Sequence, residues 1–326
     1  MFRIVTALAL VSSVASAEVE IKLGTLAPKG SPWEQLLKEM GQKWSEASGG
    51  QVKLRIFPGG VMGDEGVMVR KMQVGQLQAA SVTTIGLHDI TPEPQAVNAP
   101  MGVTSFDELD YVMSRLEPKL DEALAQKGYI AINWSDVGFV QFFSAKAIRT
   151  PSDVKAVKLF AWDGDPKAVD AWRAAGFQPI VLSSTDVVPS LQTGMIDTVA
   201  AAPLYAFTAR IYQKANKMCD LRWAILTGAT VVRKDVWERI PVEVRPKLLA
   251  IARDYGKRIA LEVRRLNEDA VSQMRAQGLE VVHAQDQAAW EKLGESANKV
   301  VRGGVVPAPF YDEVIRLRDE FRKGKR

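Results

Sequence analysis

A strand, a helix and a second strand, in that order at the start of this chain, constrain its fold more than any other feature. Glu20-Ile21-Lys22-Leu23-Gly24 alternates as a half-buried strand does and stops at the turn Ala27-Pro28-Lys29-Gly30. Ser31-Pro32-Trp33-Glu34 then starts a helix, with Ser31 as N-cap, Pro32 in the first turn and Glu34 completing a capping box. Trp33, Leu36, Leu37, Met40 and Trp44 carry the helical period, and Gly49-Gly50 ends it. Val52, Leu54 and Ile56 alternate with Lys53 and Arg55 as the next strand. Strand and helix alternating in this way predict an α/β domain.

The alternation continues along the chain. Strands are expected at Ala79–Thr84, Tyr129–Phe143, Val157–Trp162 and Pro179–Leu182, and helices at Phe106–Gln126 and Thr185–Thr193. Another helix should open at Asp165-Pro166, and Gly194 should stop the one before it. Val242–Met274 is a long helical stretch suited to bracing two domains. At 326 residues and 47% hydrophobic content the chain has room for two domains. No repeat or low-complexity linker separates them, so crossing strands are expected to join them.

Residues 1–17 read as a leader rather than as part of the fold. Met1-Phe2-Arg3 is positive, Ile4 to Val14 is apolar, and Ala15-Ser16-Ala17 is a small-residue cleavage site. A run this short does not span a bilayer. Cleavage after Ala17 would make Glu18 the first residue of an exported, periplasmic protein. No cysteine near that point suggests a lipid anchor.

Other classes find little footing. Cys219 is the only cysteine and reads as a small buried hydrophobe. The net charge is +4, and the basic cluster Arg316 to Arg326 reads as a solvated helix end, so nucleic acid is not an expected partner. His88 and His283 have no ligand-spaced companions, and Asp163 and Asp165 lack the full calcium-loop spacing. Neither a metal nor another cofactor is expected. Asp136, Asp163 and Asp197 are scattered carboxylates, no Gly-x-Ser-x-Gly elbow accompanies them, and no catalytic residue is assigned.

Several segments, in order, carry a family resemblance: Leu23-Gly24-Thr25-Leu26-Ala27 with Ser31-Pro32-Trp33; Phe57-Pro58-Gly59-Gly60-Val61-Met62-Gly63-Asp64-Glu65; Val74-Gly75-Gln76-Leu77-Gln78-Ala79-Ala80; Ile148-Arg149-Thr150-Pro151-Ser152-Asp153-Val154-Lys155; and Leu191-Gln192-Thr193-Gly194-Met195-Ile196-Asp197. Together they resemble the substrate-binding subunit of tripartite ATP-independent periplasmic (TRAP) transporters, the DctP family. The resemblance implies a two-lobed periplasmic-binding-protein fold of α/β class, with a ligand cleft between the lobes and a long helix bracing both. We assign 18–137 plus 227–266 to lobe I and 138–226 plus 267–326 to lobe II. It also implies TRAP permease subunits as partners, and for part of the family a periplasmic tetratricopeptide-repeat protein.

Departures from the family pattern carry the expectation about ligand. The family strand normally reads Lys-(Ile/Leu)-Arg, its arginine clamping an organic acid, whereas Lys158-Leu159-Phe160 ends in an aromatic ring. A second family arginine, shortly after a glycine, matches Val140 after Gly138. The asparagine after the Gln-Thr-Gly segment falls at Ala201 or Ala202, and an aromatic position falls at Ser184. Trp162 shares the strand face of Phe160. Candidate lining residues are therefore Phe160, Val140, Trp162, Ala201, Leu26, Trp33, Thr84, Ser184 and Pro203. Losing all the polar anchors predicts a small uncharged or hydrophobic organic solute, since an unpartnered buried carboxylate is costly. The alternatives are a conventional C4-dicarboxylate-like acid held by a relocated cation (Arg173, Arg210 or Arg233), or a binding module for a lipid or a partner protein.

Overall fold

The computed structural model describes residues 18–162, 166–183 and 186–324. The leader, the Asp163 and Asp165 pair and Ser184 lie outside the described residues. In chain order the elements are β1 (Val19–Thr25), α1 (Pro32–Ala47), β2 (Val52–Phe57), α2 (Glu65–Gln73), β3 (Ala79–Thr83), α3 (Thr84–His88), α4 (Phe106–Gln126), β4 (Tyr129–Ser144), α5 (Pro151–Lys155), β5 (Phe160–Trp162) and α6 (Pro166–Ala174). They continue with β6 (Ile180–Leu182), α7 (Val187–Thr193), β7 (Thr198–Ala201), α8 (Pro203–Thr208), β8 (Lys217–Cys219), β9 (Ala224–Arg233), α9 (Lys234–Trp237), α10 (Arg245–Ala276), β10 (Glu280–Val282), α11 (Gln287–Val300) and α12 (Ala308–Gly324).

Local chemistry sets the ends of these elements. The Ser31 hydroxyl accepts from Glu34 N, as a capping box requires. Its reciprocal half differs from the sequence expectation. The Glu34 carboxylate accepts from Gly30 N, because Ser31 N already donates to Pro28 O at 3.0 Å. Gly194 closes α7 in the left-handed region, with φ +71°, where glycine meets no Cβ penalty. Asp197 stitches strands rather than entering a site: its carboxylate accepts from Lys158 N at 2.7 Å.

One sheet runs β2-β1-β3-β9-β4-β8-β10, with β7 also paired to β4. β1 is parallel to β2 and β3, whereas β9 lies antiparallel between β3 and β4. β4 belongs to both lobes: Tyr129–Val140 pairs with β9, and Gln141–Ser144 pairs antiparallel with β7. The two lobes are thus joined by crossing strands. β5 and β6 form a parallel pair that meets β7 through a Leu159–Thr198 bridge. The 32-residue helix α10 lies along β4 and packs on α1 in one lobe and α8 in the other. The last helix, α12, packs on α4, burying Val314 and Leu317 among Leu109, Val112 and Leu116.

Both lobes have full cores. Trp44, Leu37 and Met40 of α1 meet Ile21, Leu23, Ile259 and Val263 on one face of the first sheet region. In the second lobe Trp172 stacks on Trp223 with centroids 5.3 Å apart, and Phe142 stacks on Trp290 at 5.9 Å. Each fully buried side chain of this size contributes about 1.5–3 kcal/mol. Cys219 is buried in this second core, and burial pushes its thiol up to about 11.

Candidate functional site

Sheet directions alone locate a cleft. β1, β2 and β3 run the same way, so their carboxyl ends, at Leu26, Pro58 and Thr84, share one edge. β4 is antiparallel to β9, which is antiparallel to β3. β4 therefore leaves lobe I through that same edge. β7 runs back against β4, and β5 is joined to β7 by a parallel bridge. The carboxyl ends of β5 and β7, at Trp162 and Ala201, therefore point toward lobe I. Two sets of strand ends face each other, the arrangement in which open α/β sheets bind ligands.

This topology gathers most of the candidates. Leu26 and Thr84 stand on the lobe I edge, and Trp162, Ala201 and Pro203 on the lobe II edge, with Phe160 two residues before Trp162. Val140 sits where β4 crosses. Leu26 is 40% exposed and leans over Gly60. Phe160 and Trp162 are half-buried, and Phe160 packs on the lobe II core with Val187 and Leu191. Trp33 packs over the lobe I core, with its indole Nε1 buried and unpartnered. Ala201 and Pro203 are buried. Thr84 is fully buried and its hydroxyl is already engaged by Asn98, whose amide oxygen accepts from Thr227 at 3.3 Å. In this conformation Thr84 shapes the wall rather than offering a free hydroxyl.

Two of the three arginines named as a relocated cation are engaged elsewhere. Arg233 ends β9, which runs opposite to β3, so it lies at the far edge of lobe I, bonded to Asp235 at 2.9 Å and Met72 O at 2.9 Å. Arg173 is exposed on α6 beside Asp170 at 3.8 Å. Arg210 follows α8 and lines a depression of about 510 Å³ with Phe207, Tyr212 and Gln277.

Sequence reasoning missed Glu65, Asp64, Tyr205 and Asn267. Glu65 is buried at the start of α2 and accepts from Thr83 N at 2.9 Å, Thr83 Oγ1 at 2.7 Å and Gly86 N at 2.9 Å. It thereby fixes the β3–α3 turn at the cleft edge. Burial pushes its carboxyl above the usual range, against the pull of its Thr83 and Gly86 bonds. Tyr205, on α8, is 43% exposed. Its phenol is raised by burial and then by the negative charge of Asp64, the N-cap of α2 in the other lobe. The phenol thus feels a charge from the other lobe. Only the segment Asp64-Glu65 fell within a sequence motif; Tyr205 and Asn267 had no local signal.

The family model for bacterial extracellular solute-binding protein, family 7 (DctP), matches residues 23–301. The chain belongs to this family. Over 316 residues it is 26% identical to the C4-dicarboxylate-binding periplasmic protein DctP of Rhodobacter capsulatus, covering 88% of each chain. A shorter match, 29% identical to the uncharacterized protein YiiZ of Salmonella typhimurium, covers 52% of this chain and 53% of that protein. A TRAP periplasmic solute-binding protein from Pseudomonas putida F1, solved with bound D-glucuronate, superposes with a TM-score of 0.83 at 22% identity, covering 91% of this chain and 96% of that one. This DctP-family chain thus has the two-lobed binding-protein fold and is a solute-binding receptor, not an enzyme.

Proposed function

We propose that this receptor closes on an uncharged, largely apolar organic solute and delivers it to a TRAP-type membrane permease. One observation carries this reading: Phe160, Val140 and Ala201, which stand where the family pattern has its polar anchors, bring no cation, and Arg173 and Arg233 are engaged by carboxylates elsewhere. A carboxylate there would lose its water without a guanidinium to replace it. The lobes would divide where β4 and β9 cross, near residues 137–138 and 226–227. Export with cleavage after Ala17 belongs to the same proposal, and an intact Met1 on secreted protein would refute it.

A second reading rests on the relatives. The Pseudomonas protein holds D-glucuronate and the Rhodobacter protein is named for C4-dicarboxylates, so an acid solute is the competing expectation. A thermal-shift panel separates the two, because ligand at about 100 times its dissociation constant stabilises by roughly 2.7 kcal/mol. Shifts with neutral aromatic and aliphatic compounds, and none with glucuronate or succinate, support the apolar reading. Micromolar binding of either acid, with no response to neutral compounds, overturns it.

A further inference from the structure

The short helix α8 begins without a cap of its own. Its N-cap is Ala202, which has no side-chain oxygen to receive the first free amides. The missing acceptor comes from α10: Asn267, 7% exposed, accepts from Leu204 N at 2.9 Å through Oδ1. Its Nδ2 donates to Val263 O at 2.8 Å, within its own helix, and to Val137 O at 3.0 Å, on β4. Val137 lies where the β4–β9 ladder shifts register, between Asp136 and Gly138. Gly138 has φ +122°, and a Cβ there would stand 2.7 Å from Asn267 Nδ2, so the backbone comes close because the residue is glycine. Three residues earlier on α10, Arg264 bonds Asp136 at 2.8 Å and Asp110 at 2.6 Å.

We infer that Asn267 is the positioning residue of the cleft: it caps α8 from a distance and ties it to the strand that crosses between the lobes. The helix α8, which carries the exposed Tyr205, is then placed at the cleft edge by the crossing point of β4 as well as by β7, the strand that precedes it in sequence. When the lobes rotate, α8 follows the crossing strand. This coupling goes beyond the solute question, since it requires no particular ligand.

Spin labels at Val61→Cys and Thr208→Cys, both exposed sites, report the distance between lobe I and α8 in the ligand-free full chain. Cys219 is buried with a raised thiol pKa, so it stays unlabelled. The expected result is one narrow distance peak in the parent and its loss, to a broad distribution, in Asn267→Ala. Leu248→Ala, a core truncation beneath α1, controls for general destabilisation and should keep the peak. The decisive variant is Asn267→Ala with Ala202→Ser, which restores a local cap. It should recover the melting temperature while the distribution stays broad. A parent-like peak in Asn267→Ala, or its return with the local cap, overturns the coupling.

Discussion

Glu65→Gln isolates the contribution of one buried carboxylate to the wall of the cleft. Oε1 of Glu65 accepts one bond, from Thr83 N, and Oε2 accepts two, from Thr83 Oγ1 and Gly86 N. Glutamine turns one of these oxygens into an NH₂ group, so at least one buried backbone N–H loses its acceptor. That loss costs about 1–3 kcal/mol. Glu65→Ala strips both amides, for roughly 2–6 kcal/mol, less the relief of no longer burying a carboxyl. Relaxation is limited, since Gly86 approaches so closely that a Cβ would stand 2.8 Å from Glu65 Cβ. The pH dependence has a definite sign. Burial raises the Glu65 carboxyl above its unfolded value of about 4.3, so its contribution is fully present below that value and is lost as pH rises through the folded value. Glu65→Gln should therefore flatten the decline of stability on moving from acid toward neutral pH. Urea unfolding followed by tryptophan fluorescence at several pH values measures both effects. A Glu65→Gln protein within about 0.5 kcal/mol of the parent, with an unchanged pH slope, would refute the reasoning.

Two further outcomes are expected. Phe160→Arg should abolish binding of neutral solutes and create carboxylate affinity, measured by thermal shift and calorimetry; unchanged neutral binding would remove Phe160 from the pocket. Arg264→Leu leaves Asp136, 2% exposed and already carrying one unpartnered oxygen, without its cation. It should cost about 3–5 kcal/mol in urea unfolding, and Asp136→Asn in the same chain should restore much of it.

What the sequence disclosed follows the range of the interactions involved. Ser31-Pro32, the Gly194 stop and the bounds of α4 were readable because caps and periodicity are written within a few residues. β5 was expected from Val157 but forms only over Phe160–Trp162; short strands offer too few alternations to fix their ends. Glu34 shows the limit at its smallest scale, where the partner of one backbone amide redirected a carboxylate by a residue. Glu65, Arg264 and Asn267 act on tertiary partners 18 to 154 positions away. Inside a helical pattern each reads as an ordinary polar residue. The residues proposed to line the cleft were singled out mainly as departures from a family pattern, and Tyr205, on a six-residue helix, carried no periodic signal.

The place of β9 between β3 and β4 also bears on the order of assembly. While the chain is made from its N-terminus, β1 to β4 emerge without the strand that must separate β3 from β4. Until residues 224–233 arrive, those two strands present unpaired edges, and the first lobe has no complete sheet to close upon. The first lobe is then incomplete as a folding unit until β9 is made. A chain truncated before Ala224 should leave that lobe open and protease-sensitive.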